Sequence, residues 1–126
     1  MSEGSEERRF TPEEANAMIG ELTDLLPTIR EARQTVLRAG EAIKDTASMN
    51  GGGAPGREYW EAVSTLRRAV EHLSEEGIIL RDAESGLVDF PSVRDGRHVF
   101  LCWRLGEPTV GYWHGEQGGF AGRRPL

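Results

Sequence analysis

The chain has 126 residues, enough for one modest core, with an ordinary globular share of hydrophobic (37%) and charged (29%) residues. No apolar run approaches the ~20 residues of a membrane-spanning helix, and Met1 to Arg9 lacks the apolar stretch of a signal peptide; the expectation is a cytoplasmic protein with no membrane partner. Residues 1–76 hold 15 acidic and 9 basic side chains and residues 77–126 hold 6 of each, so the acidic half repels a phosphate backbone and argues against nucleic acid as a partner.

The fold class expected is α+β: a long antiparallel two-helix, coiled-coil-like hairpin followed by a small antiparallel β-meander. The division is a disordered N-terminus over 1–9, a helical hairpin over 10–76 with a flexible loop at 49–56, and a β-module with a glycine-rich tail over 77–126, all in one compact domain.

The first helix starts at Thr11-Pro12-Glu13-Glu14. Thr11 suits the N-cap, Pro12 the first helical position, and Glu14 completes a capping box, with Phe10 placed to staple the first turn. Apolar residues then recur every seven, as Ala15, Leu22, Ile29, Val36 and Ile43, with Met18, Leu25, Ala32 and Ala39 three residues on. That 3-4 spacing is a coiled-coil seam. Pro27 removes an amide donor inside it and is expected to kink the helix or reset its direction.

Met49 to Gly56 (MNGGGAPG) reads as a flexible loop. A second helix follows from about Arg57, with Tyr59, Val63, Leu66, Val70 and Leu73 as its stripe and Gly77 as its left-handed stop. Helix one is ~55 Å long and helix two ~30 Å at 1.5 Å per residue. Paired back from the loop, helix two covers roughly 29–48 and leaves Met18, Ile19, Leu22, Leu25 and Leu26 over. That face must be covered by the β-module or by another copy, so a homodimer is expected.

Past residue 77, glycines at 77, 86, 96, 106 and 115 separate β-branched and aromatic segments. This is the spacing of an up-and-down meander, with strands at 78–81, 87–90, 97–105 and 109–114. Asp95-Gly96 suits a two-residue hairpin, which sets Phe90 opposite Leu101, Asp89 opposite Cys102 and Val88 opposite Trp103. A bulge at Pro91 is the alternative register. A short turn at Gly106-Glu107-Pro108 then sets Tyr112 opposite Cys102, with Glu107 in solvent.

Val99, Leu101, Trp103 and Leu105 fall on the buried face, and Asp89, His98, Cys102, Arg104, Tyr112 and His114 on the other. That second face is the one concentration of reactive side chains. Arg123 and Arg124 in the glycine-rich tail extend it as an anion cradle. The candidate ligand-binding set is therefore Asp89, Cys102, Arg104, Tyr112, His114, Arg123 and Arg124. Cys102 is the single cysteine, so an intramolecular disulfide and a cysteine-based zinc knuckle are excluded. His98 and Cys102 lie four apart on one strand, ~13 Å at ~3.3 Å per residue, and cannot share an ion without a bend. No metal set, cofactor or catalytic residue is assigned, and no phosphate loop, dinucleotide fingerprint, GxSxG or HExxH is present.

Four stretches carry a family likeness: Phe10 to Asn16 (FTPEEAN), Gly86 to Pro91 (GLVDFP), Leu101 to Glu107 (LCWRLGE), and Gly111 to His114 (GYWH) with Gly119 to Pro125 (GFAGRRP). Together they resemble the bacterial family named domain of unknown function 2203. The resemblance implies that the β-module and its tail hold the family's distinctive residues, and it brings no activity with it. Two readings stand: a non-enzymatic, self-associating interaction module, or a protein (binder or small enzyme) with an anion or metal site on the β-module.

Overall fold

The computed structural model describes residues 8–50 and 56–126. Residues 1–7 of the disorder expected over 1–9, and residues 51–55 of the loop expected at 49–56, lie outside the described residues; Arg8 donates to Glu76, Arg9 faces His98, and α2 runs on to Asn50. Three helices, α1 (Pro12–Ala17), α2 (Ile19–Asn50) and α3 (Arg57–Glu76), precede five strands, β1 (Ile79–Asp82), β2 (Leu87–Arg94), β3 (Arg97–Arg104), β4 (Tyr112–His114) and β5 (Arg124–Pro125). All pairings are antiparallel and the strand order is β1-β2-β3-β4-β5. This is the helical hairpin and meander expected, with β5 as an added edge formed by the tail.

The N-terminal capping box forms as read: Thr11 Oγ1 accepts from the Glu14 amide at 3.1 Å and the Glu14 carboxylate accepts from the Thr11 amide at 2.9 Å. The first helix is interrupted at Met18, not at Pro27. The Met18 amide turns back to the carbonyls of Ala15 and Asn16, a tighter closure than the α ladder. The break lies where α1 is tied to the connection between β3 and β4 through Asn16, whose Oδ1 accepts from the Val110 amide at 2.8 Å. Pro27 sits inside α2.

The phase of the hairpin also differs from expectation. His72 of α3 is hydrogen-bonded to Glu21 of α2, and Glu58, Glu61, Ala62 and Thr65 share a groove with Thr28, Glu31, Ala32 and Thr35. Helix α3 therefore lies along residues of about 20–36, not 29–48. The apolar N-terminal stretch is covered by the chain's own α3 and sheet: Leu22, Leu26 and Ile29 are fully buried in one core with Leu73, Val88, Phe90, Leu101 and Trp103, and Met18, Ile19 and Leu25 pack on its edge. Each such aliphatic side chain contributes about 1.5–3 kcal/mol on burial. It is the far end of α2, beyond Val36, that outruns its mate. The α3 stripe is also rotated, since Ala62 and Ala69 are buried while Val70 is exposed. Alanines take these two buried positions of the seam, and Val70, the better hydrophobe, is turned out of it.

Asp95 (φ 53°) and Gly96 (φ 77°) both have positive φ, the signature of the two-residue hairpin turn that matches strand twist. Register follows as read: Val88↔Trp103, Asp89↔Cys102, Phe90↔Leu101 and Cys102↔Tyr112. Pro91 makes no bulge and pairs with Phe100. Its carbonyl accepts from the Phe10 amide at 2.7 Å, so its backbone points away from β3 and the missing N–H costs that ladder nothing. The register irregularity falls between β1 and β2, at Leu80/Asp82.

Candidate functional site

Alternation along the strands gives the sheet two faces. Val88, Phe90, Leu101 and Trp103 point at the helices. Asp89 from β2, Cys102 from β3 and His114 from β4 point the other way, on three adjacent strands. Cys102 is directly opposite Asp89, while His114 pairs with Phe100 and so sits diagonally across from Cys102. All three side chains are buried, at 1%, 0% and 3% exposure. One donor atom from each lies within 4.8 Å of the others. The second face is therefore not an open surface: the tail after His114 folds back over it.

His114 is held from both sides. Nε2 lies 2.9 Å from Oδ2 of Asp89 and Nδ1 lies 2.7 Å from the Gly115 carbonyl. A ring protonated on both nitrogens donates to both partners; a singly protonated ring donates at one of them. Arg81 Nε donates to the same Asp89 oxygen at 2.7 Å, and the guanidinium lies over Phe100, whose ring stacks on His114 at 5.4 Å. The other Asp89 oxygen, Oδ1, is buried and has no hydrogen-bond partner. Burial and the neighbouring Asp89 carboxylate push the Cys102 thiol up to about 12. At neutral pH it is a neutral thiol, lacking the thiolate character of a reactive cysteine.

A cleft of about 270 Å³ opens beside this cluster, lined by Arg81, Leu87, Asp89, His114, Glu116, Gln117, Gly119 and Phe120. The remaining candidate residues are distributed around it. Arg123 is ion-paired with Glu107 and lies over Tyr112 and Phe120, and Arg104 also faces Phe120. These five form an adjoining knot that pins the tail. Arg124 pairs with Trp113 across β4 and β5 and its guanidinium lies over that ring, opposite in strand parity to Tyr112 and His114. Arg123 and Arg124 thus do not converge on one anion. His98 is exposed and faces Arg9 at 3.5 Å, apart from the cluster.

Two residues of the site escaped the sequence reading. Arg81 shares a face with Asp89 by strand parity, a signal that the irregular β1–β2 register obscures. Glu107, expected in solvent, is largely enclosed: its carboxylate binds Arg123 and the Arg104 amide, and its carbonyl accepts from Trp103 Nε1 at 3.0 Å. A turn carboxylate with a tail arginine in reach is retained by that arginine. Among the described residues no helix is long and apolar enough to cross a membrane.

No curated protein and no solved structure matches the chain. Residues 8–126 match the model of the family described as uncharacterized conserved protein (DUF2203), so the chain belongs to that family.

Proposed function

We propose that this protein binds a small ligand in the cleft over Asp89 and His114. The observation that carries the reading is the Asp89 Oδ1 atom: buried, unpartnered, and part of a side chain that lines the cleft. Leaving a buried carboxylate oxygen unpaired costs about 1–3 kcal/mol or more, and a ligand that supplies a donor or a positive charge recovers it. Arg81, partly exposed at the rim, adds a polar contact where the ligand enters.

Binding is favoured over catalysis by the state of the side chains. Cys102 is a protonated, enclosed thiol, and both nitrogens of His114 are engaged. Neither offers a poised nucleophile or a free base. Native mass spectrometry of the purified chain tests the reading. The expected result is an adduct mass on the wild type that is absent from Asp89→Asn; bare chains in both spectra overturn it.

A second reading, self-association, has a specific observation of its own. Covering the N-terminal half of α2 removes the original reason for a dimer, but Leu37 and Trp60 stand 52% and 56% exposed toward the end of the hairpin where α3 begins. A second copy packing there makes a homodimer. Sedimentation across micromolar concentrations is expected to show a dimer that Leu37→Glu with Trp60→Glu converts to monomer; a wild-type monomer throughout ends this reading.

A further inference from the structure

We infer that Asp89, Cys102 and His114 form a three-ligand site for a divalent transition metal ion of the zinc type, with its fourth position open to the cleft. The inference rests on the reading above that the cleft is the ligand site, and names the ligand.

The donor set decides the class of ion. One carboxylate oxygen, one sulfur and one imidazole nitrogen suit a borderline-soft ion that accepts tetrahedral geometry. Calcium and magnesium want six or more oxygens and have no use for the sulfur. The three donors come from neighbouring strands of one sheet, so their Cα positions are set by the β-ladder rather than by loops. Their donor atoms all fall within 4.8 Å. Bonds of ~2.0–2.3 Å at tetrahedral angles place ligand atoms ~3.3–3.8 Å apart, so closing on an ion takes side-chain rotations of the order of 1 Å.

The surroundings fit the same assignment. The Gly115 carbonyl holds His114 Nδ1, which leaves Nε2 as the coordinating nitrogen; metal-bound histidines are oriented by such a partner. Arg81 holds Oδ2 of Asp89, and the unpartnered Oδ1 is free to take the ion. On coordination His114 Nε2 gives up the proton it shares with Asp89 and the Cys102 thiol gives up its own, both to solvent, so that the ion meets a neutral imidazole nitrogen and a thiolate. Among the described residues no fourth His, Cys, Asp or Glu joins the group. A three-protein-ligand site with an open position is the arrangement that accepts water or a substrate atom.

The test uses the full chain, stripped with a chelator and titrated with Co²⁺ and Zn²⁺. One ion per chain is expected, with the intense visible absorption of tetrahedral cobalt and a thiolate-to-cobalt charge-transfer band. Cys102→Ser should abolish that band, and Asp89→Asn and His114→Ala should each lower Zn²⁺ affinity by ~100-fold or more, at or beyond the loss typical of outer-shell changes. Zinc X-ray absorption on the wild type alone should show one sulfur neighbour, a readout independent of how the variants fold. Absence of binding at micromolar ion, or a bound ion with no sulfur neighbour, overturns the site. A stripped chain that takes up no ion but still carries an organic adduct lost in Asp89→Asn overturns the metal and keeps the cleft; a chain with neither overturns both.

Discussion

Arg123 donates from one guanidinium nitrogen to both carboxylate oxygens of Glu107, at 2.8 Å each, and so ties the chain's last strand to the turn between β3 and β4. Both side chains are largely enclosed. The guanidinium also lies 4.0 Å from the Tyr112 ring centroid and 4.6 Å from that of Phe120. This knot closes the tail over the Asp89, Cys102 and His114 cluster.

Glu107→Ala strands the Arg123 charge in a partly buried position. It is expected to destabilise the fold by about 1–3 kcal/mol, less than a fully buried pair because some solvent reaches both groups. The sharper readout is Cys102. Enclosed and held as the neutral thiol, it should resist a thiol reagent in the native wild type. In Glu107→Ala the tail lifts more often and labelling under native conditions should accelerate several-fold. Equal labelling rates in the two proteins show that other contacts hold the tail.

Asn16 joins the helices to the connection between β3 and β4. Its Nδ2 donates to the Pro12 carbonyl and its Oδ1 accepts from the Val110 amide, at 2.9 and 2.8 Å. Val110 is buried, so Asn16→Ala leaves its amide without a partner at a cost of about 1–3 kcal/mol. Asn16→Asp keeps the acceptor for Val110 but loses the donor to Pro12, and should fall between wild type and Asn16→Ala in urea midpoint. Identical midpoints for all three mean that water replaces the contact.

His72 gives the hairpin a pH dependence. The hydrogen bond to Glu21 raises its pKa above 6.5, reinforced by the charges of Glu21, Glu76 and Glu75 and opposed by desolvation. The protonated ring is favoured in the folded state, so its contribution is complete below about pH 6.5 and is lost as pH rises through the elevated folded value. Urea midpoints should therefore fall between pH 6 and pH 8 by more in the wild type than in His72→Gln. Screening of this exposed pair keeps the difference small and makes it shrink in high salt. Parallel pH profiles for the two proteins exclude the pair as the source.

How much of this was legible in the sequence depends on how local each signal is. The Asp95-Gly96 turn and the two-residue period of strands place Asp89 opposite Cys102 without any tertiary knowledge, and the capping box at Thr11 needs only four residues. The phase of the hairpin is different. The heptad stripe runs the length of α2 and offers α3 several equivalent berths; the sheet and residues such as Glu21 and His72 select one. Hydrophobicity ranks Val70 above Ala69, yet Ala69 is the one that is buried. The cover over His114 was hidden for another reason: a glycine-rich tail has no period, and its anchors, Phe120 on Arg104 and Arg123 on Glu107, are long-range pairs.

Gly86 and Gly96 separate two costs that are usually mixed. Both have positive φ, 73° and 77°, so a side chain at either position pays the left-handed penalty of ~1–2 kcal/mol. At Gly96 an added Cβ meets open space. At Gly86 it meets the Cβ of Leu105 at 2.7 Å, closer than real contacts allow. The two residues are also bonded, since the Leu105 amide donates to the Gly86 carbonyl at 3.0 Å; backbone must shift to make room, adding the ~1–3 kcal/mol typical of overpacking. Gly96→Ala should therefore cost ~1–2 kcal/mol and Gly86→Ala about twice that. Gly86→Ala should also disturb amides of the β1–β2 turn and Leu105 in NMR spectra, while Gly96→Ala stays local to its hairpin. Equal destabilisation by the two substitutions means that the Leu105 contact yields without cost, and that backbone conformation alone requires glycine at both turns.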